Sequence, residues 1–267
     1  MKSKFHYILL LIVAFAACNQ LSDEEKAALH LQEARALIAQ NQLNAAKNEL
    51  DSVHILYPRE VPMRRIAKHL SDSIVVIESK RTLAYCDSLL PQMEHVKDSL
   101  AKNFRFEHDT LYMEEGQYVN KLLRTESNAA RCYLQTFITE SAKVVMKSTY
   151  CGGKQINYNM VELTSNDISV SSVPGDVHQF ETDGMHYETL LLNDEDAMPL
   201  LQFISEHMKD RIKVTLKGGS SYIYYLSESE RKALGESYHF AVVMKDIVRL
   251  KEEQRKAKIR IEQKMNK

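Results

Sequence analysis

The chain has little glycine and proline and no tryptophan: 8 glycines, 5 prolines and no Trp among 267 residues. This scarcity argues against long disordered linkers and low-complexity segments. The formal net charge is −1, and no Lys/Arg-rich stretch stands apart from acidic residues. Because proteins that bind nucleic acid present a basic surface to the phosphates, we predict a folded protein without a nucleic-acid partner.

Common catalytic motifs are also missing. The sequence contains no H-E-x-x-H, no G-x-S-x-G and no paired C-x-x-C, which are typical of metalloproteases, α/β-hydrolases and thiol-redox proteins. Gly218-Gly219 is not followed by the lysine and helix start of a phosphate-binding loop, so it is interpreted as a turn. We therefore predict no enzyme activity, no catalytic residue and no cofactor.

Residues 1–17 have the composition of an export signal that is removed from the mature protein. Lys2 and Lys4 precede an apolar run, Tyr7–Phe15. That run is too short to cross a bilayer, which takes about 20 residues. Two alanines then come directly before Cys18.

The segment Phe15–Cys18, FAAC, resembles the lipobox of bacterial lipoproteins, although Phe15 stands where Leu is usual. The resemblance implies that Cys18 becomes the first residue and carries the lipid. Several acyl chains, palmitate among them, are then needed, since one chain anchors a protein only marginally. The alternatives are an ordinary secretory signal and an uncut N-terminal anchor.

The residues after Cys18 indicate to which membrane the protein is sent. The position directly after Cys18 holds Asn19, whereas in enteric bacteria an Asp there resembles a signal for retention in the inner membrane. The segment Ser22–Glu25 resembles the acidic export tag of Bacteroidetes surface lipoproteins. The resemblance implies an outer-membrane lipoprotein, on the periplasmic face or the cell surface. Ser22 and Glu25 also have the spacing of a helix capping box.

Residues 18–103 are predicted to form a helical brace. An amphipathic pattern runs over 22–57, breaks at Asn41-Gln42 and stops at Pro58, which indicates a helical hairpin. The hairpin resembles one tetratricopeptide unit at Ala34, Leu37, Leu43, Ala46, Leu50 and Pro58. Residues 62–90 do not repeat this pattern and are interpreted as a longer helix pair or one bent helix.

Residues 104–226 are predicted to form an antiparallel β domain, a sandwich or half-barrel with one inserted helix over Asp194–Met208. Thr182-Asp183-Gly184 is predicted to be a hairpin turn of the Asp-Gly kind. The predicted strands are 130–138, 143–150, 155–163, 168–173, 179–181, 187–192, 211–216 and 222–226.

Residues 227–267 are predicted to form one long helix that begins with a capping box at Ser227 and Glu230. Together these elements predict an α+β fold. The helix has a coiled-coil-like seam that weakens after Leu250: Phe240, Val243, Ile247, Leu250, Gln254, Ala257 and Ile261.

Polar residues cluster around one predicted hairpin: His178, Glu181, Asp183, His186 and Glu188. Side chains of these types bind metals when they converge, but alternation along the strands does not guarantee convergence. We favour surface polar residues and predict no metal site.

The cysteines suggest a cross-link. If Cys18 carries the lipid, Cys86, Cys132 and Cys151 remain, an odd number. The predicted hairpin brings Cys132 opposite a residue close to Cys151. We therefore predict a Cys132–Cys151 disulfide with Cys86 buried, the alternative being three reduced cysteines.

The signal, the helical hairpin, the Tyr150–Gly153 turn and the strands that lead into a long helix resemble a group of uncharacterised Bacteroidetes lipoproteins. The resemblance implies a location but no activity. We predict a lipid-anchored cell-envelope protein that acts as a binding or scaffolding module for a protein or glycan partner. The alternatives are an envelope enzyme with a site in the β domain and a structural spacer.

Overall fold

The computed structural model describes residues 21–109, 111, 114–123 and 130–265. They form five helices and two antiparallel sheets, which confirms the predicted α+β class. Neither sheet closes into a barrel. The described residues divide into two compact units, a helical unit of 21–85 with 253–265 and a β unit of Cys86–Glu252.

The helical unit contains α1 (Asp23–Ala39), α2 (Leu43–Leu56) and the first part of α3 (Val61–Ala101). The predicted capping box begins α1: Glu25 N donates to Ser22 Oγ at 3.1 Å, and Ser22 N donates to the Glu25 carboxylate at 2.8 Å. The buried apolar core is formed by Ala27, Leu31, Ala34, Leu43, Ala46, Leu50, Val53, Ala67 and Ile74.

Helix α3 is continuous over 41 residues and has Pro91 inside it. Of the two interpretations of residues 62–90, a helix pair is therefore wrong and a single helix is correct. Proline inside a helix removes one backbone donor and crowds the preceding turn, which favours a kink or an end, yet α3 continues through Pro91.

The β unit is built on two sheets. The six-stranded sheet has the order β1-β2-β3-β4-β8-β7, and the four-stranded sheet the order β10-β9-β5-β6. Helix α4 (Asp194–Glu206) lies between β8 and β9 in the chain. The strands are β1 (Phe104–Glu107), β2 (Gln117–Asn120), β3 (Tyr133–Thr139), β4 (Val144–Gly152), β5 (Tyr158–Ser165), β6 (Ile168–Ser171), β7 (Val177–Thr182), β8 (Met185–Leu192), β9 (Lys213–Gly218) and β10 (Tyr222–Tyr225).

The turn between β7 and β8 has the predicted Asp-Gly chemistry. Thr182 pairs with Met185, so Asp183 and Gly184 alone make the turn. Their φ values are 52° and 71°. Positive φ at both central residues twists a two-residue hairpin to match its strands, which fixes the register of the whole hairpin.

Helix α5 (Glu228–Met265) begins with the predicted capping box, in which Glu230 N donates to Ser227 Oγ at 3.3 Å and Ser227 N donates to the Glu230 carboxylate at 2.8 Å. Phe240, Ile247 and Leu250 of the predicted seam are buried. Among the described residues, no helix combines the length and apolarity needed to span a membrane.

Candidate functional site

The β7–β8 hairpin carries all five polar residues that the sequence singles out: three share one face, one lies on the other face and one lies in the turn. Gln179 pairs with Glu188 and Glu181 with His186, so these four share one face. Phe180 pairs with Tyr187 and lies on the other face with His178, because side chains alternate along a strand. Asp183 lies in the turn.

Glu188 is fully buried. Its carboxylate accepts hydrogen bonds from three consecutive backbone N–H groups, those of Ile156 at 2.5 Å, Asn157 at 3.1 Å and Tyr158 at 3.1 Å. Burying a carboxylate is costly unless it is fully hydrogen-bonded. Glu188 therefore holds the segment before β5 in place, which is a structural task.

A small pocket of about 200 Å³ lies beside Glu188, lined by Gln155, Gln179, Phe180, Glu181, His186, Tyr187 and Glu188. His186 Nδ1 lies 3.7 Å from a Glu181 carboxylate oxygen, and Glu181 is largely exposed. Among the residues that the structure describes, no group of three or more His, Cys, Asp or Glu side chains is placed to hold a metal ion. The pocket can accept and donate hydrogen bonds through its amides.

The other face of the hairpin presents aromatic rings to solvent. Phe180 and Tyr187 stack with ring centroids 4.8 Å apart and planes 1° apart, and the His178 ring is 6.1 Å from that of Phe180. Phe180 remains 48% exposed. A cross-strand aromatic pair stabilises its hairpin, and the exposed part of the Phe180 ring leaves apolar surface that a partner could cover.

Strand β7 is also an edge of the six-stranded sheet. All of its residues except Val177 are exposed, and the segment Val177–Thr182 contains neither Lys nor Pro. An edge strand offers backbone N–H and C=O groups to another chain, and natural edges are commonly blocked by those residue types. No strand within the described part of the chain pairs with the outer side of β7, so the hairpin offers an open edge, an aromatic face and a polar pocket together. We call these three features the hairpin surface.

The predicted Cys132–Cys151 disulfide is not formed, because Cys86, Cys132 and Cys151 are all free. Tyr133 pairs with Thr149, which places Cys132 level with Tyr150, one residue short of Cys151. A shift of one residue puts two side chains on opposite faces of a sheet. The closest contacts run instead from Cys132 Sγ to the backbone of Cys151, whose N–H donates to it at 3.4 Å.

The two thiols have different surroundings. Cys151 hydrogen-bonds to the Tyr187 side chain, an interaction that raises the pKa of Tyr187. Burial raises the pKa of the Cys132 thiol. Because the thiolate is the reactive form, Cys132 is poorly suited to act as a nucleophile.

Cys18, the predicted site of lipidation, lies outside the described residues. The stacked pair of Phe180 and Tyr187 was missed by the sequence reasoning, although the signal was present. An Asp-Gly turn of two residues at 183–184 requires Phe180 to lie opposite Tyr187.

No family model, no curated protein and no solved structure matches the chain.

Proposed function

We propose that the chain is a lipid-anchored cell-envelope protein that acts as a binding module, with the hairpin surface of the β unit as its contact site. The observation that carries the proposal is the open edge of β7 beside the exposed, stacked Phe180 ring. An extended segment of a protein partner can add to such an edge through backbone hydrogen bonds, while side-chain pockets give selectivity.

The polar pocket of the hairpin surface also supports the binding of a protein partner. Gln155 Nε2 donates to Gln179 Oε1 at 2.6 Å and to Asn157 Oδ1 at 2.7 Å, so three amides lie together at its rim. Amides donate and accept at once, which suits the backbone or polar side chains of a partner.

Anchoring through Cys18 is supported by the sequence of residues 1–18, with its two lysines, short apolar run and FAAC ending. The acidic Ser22–Glu25 segment supports an outer-membrane location in the same way. A lipid on Cys18 would anchor the chain to a membrane, so the β unit would not need a membrane-spanning segment.

Binding is tested by capture from native membranes with the acylated protein as bait. Phe180→Ala removes the exposed ring, and Ile223→Ala is the matched control because Ile223 is a similarly exposed apolar residue on β10, in the other sheet. We expect a partner that is retained by wild type and by the control and lost with Phe180→Ala. A partner retained by all three proteins would contradict the hairpin surface, and a monomer that captures nothing would favour the spacer alternative.

Anchoring is tested separately with Cys18→Ser. We expect this variant to lose labelling by a radioactive or clickable palmitate and to leave the membrane fraction. Continued labelling of the variant would disprove lipidation at Cys18 without bearing on the hairpin surface.

A further inference from the structure

The helical unit contains a second, larger cavity that is independent of the proposed binding function. Its volume is about 590 Å³, and it lies along one side of α3 beside the end of α5. The lining residues are Lys68, His69, Asp72, Ser73, Val76, Ile77, Lys80, Lys264 and Met265. Pockets that enclose small ligands typically measure about 300–1,000 Å³, so the volume suits a ligand of that size.

The cavity is elongated along α3. Its lining residues on that helix run from Lys68 to Lys80, which at 1.5 Å per residue is a length of about 18 Å. Val76, Ile77 and Met265 supply apolar surface within it. Together with the hydrocarbon stems of the lysines, these residues give a long groove whose shape matches an extended alkyl chain.

The rim is positively charged. Three lysines and one histidine surround the groove, with Asp72 as the single carboxylate among the lining residues. Lys264 Nζ lies 2.5 Å and Lys68 Nζ 3.2 Å from the Asp72 carboxylate. Hydrogen bonding to Lys264 lowers the pKa of Asp72, so its charge is present at neutral pH and offsets one of the three lysines.

We propose that this groove binds a single-chain anionic amphiphile, such as a free fatty acid, with its chain along Val76 and Ile77 and its head group on the lysine rim. Lysine stems add to the apolar wall while their ammonium groups reach the solvent-side rim. The excess of positive charge selects an anionic head group over a cationic or neutral one.

The test measures binding of sodium dodecanoate below its micelle concentration by titration calorimetry. The protein is the full chain with Cys18→Ser, so that no attached acyl group competes. Dodecyltrimethylammonium, which has the same chain and the opposite charge, is the ligand control. We expect saturable binding of dodecanoate, and affinity for the cation that is lower by at least about tenfold.

Two substitutions locate the site. Lys80→Glu reverses an exposed rim charge, and Val76→Asp places a carboxylate in the groove. Lys258→Glu is the matched control, because Lys258 is an exposed lysine of the same unit outside the groove. We expect Lys80→Glu to weaken dodecanoate binding about three- to tenfold, Val76→Asp to abolish it, and Lys258→Glu to leave it unchanged.

Circular dichroism checks that each variant is folded. If Val76→Asp does not fold, Lys80→Glu still tests the site. The proposal is overturned if wild type does not bind dodecanoate, if the cationic amphiphile binds equally well, or if both groove variants bind as wild type does. Co-sedimentation with phosphatidylglycerol vesicles in the absence of dodecanoate binding would assign the charges to a bilayer surface and would also overturn it.

Discussion

Glu188 shows how one buried side chain can hold a loop. Its three backbone donors come from Ile156, Asn157 and Tyr158, about thirty residues away in the chain. No local pattern predicts such a contact, so the sequence presented Glu188 only as one more polar residue of a hairpin. Its burial and its partners identify it as a structural residue and remove it from any metal site.

We expect Glu188→Ala to destabilise the β unit by about 3 kcal/mol, because three backbone N–H groups, two of them buried, lose their acceptor. Urea unfolding followed by tyrosine fluorescence measures the change, since the chain has no tryptophan. Glu181→Ala is the control on the same hairpin, where the side chain is exposed. A Glu188→Ala protein within about 0.5 kcal/mol of wild type would show that the N–H groups find other partners.

Two tyrosines whose hydroxyl groups are buried should respond differently when the hydroxyl is removed. Tyr158 Oη donates to Ser148 O at 2.7 Å. Tyr224 Oη is buried and has no hydrogen-bond partner within the part of the chain that the structure describes. Burial raises the pKa of both phenols, so neither ionises near neutral pH.

We therefore expect Tyr158→Phe to cost about 1 kcal/mol of unfolding free energy, and Tyr224→Phe to be neutral or slightly stabilising. Chemical denaturation of the wild type and the two variants measures these changes in the free energy of unfolding. Equal losses for both would indicate that Tyr224 has a partner after all.

At the scale of elements, β9 and the segment before β5 approach closely at Gly218. A Cβ built there would lie 2.1 Å from Asn157 O and 2.4 Å from Tyr158 Cα, both backbone atoms. Gly153 has open space around its Cβ position. The two glycines look alike in the sequence, and only the pairing of β5 with β9 distinguishes them.

We expect Gly218→Ala to destabilise the protein by about 2–3 kcal/mol, because the backbone must move apart. The same substitution at Gly153 should stay within about 0.5 kcal/mol of wild type. Thermal unfolding of the two variants measures the difference. A similar melting temperature for both proteins would contradict the close approach.

The sequence was most informative where structure depends on neighbours in the chain. The capping boxes at Ser22 and Ser227 and the turn at Asp183-Gly184 are set by residues within three positions, and all three are confirmed. Strands β1 and β2, of four residues each, were not predicted.

Non-local register limited the prediction of the candidate site. The disulfide failed through a shift of one residue between Cys132 and its expected partner. The hairpin surface depends on β7 being an edge strand. Strand order is decided by tertiary packing, which composition and periodicity do not reveal.

At the scale of the whole molecule, stability should depend on pH through lysine-paired carboxylates. Glu94 is one of them: Lys251 Nζ lies 2.7 Å and Lys97 Nζ 2.5 Å from its oxygens. Hydrogen bonding to Lys251, with a further contribution from Lys97, lowers the pKa of Glu94 in the folded protein.

Since an unfolded glutamate has a pKa of about 4.3, the unfolded chain binds more protons than the folded one in that range. The contribution of Glu94 is therefore fully present above that value and is lost as pH falls through the lower, folded pKa. We expect the free energy of unfolding to fall between about pH 5 and pH 3, and Glu94→Gln to make that fall shallower.

Urea unfolding at several pH values measures this effect. Glu262→Gln, an exposed residue of α5, is the control and should keep the wild-type slope. An unchanged slope in Glu94→Gln would show that other carboxylates carry the pH dependence.

The division of the chain into two units has a consequence for the order of folding. The β unit is one continuous stretch, Cys86–Glu252, whereas the helical unit takes residues from both sides of it. During synthesis or export the first residues of the helical unit emerge early, but its last segment, 253–265, follows the entire β unit. The β unit can therefore complete its contacts first, and the helical unit, although its first residues are made earliest, is the last to be finished.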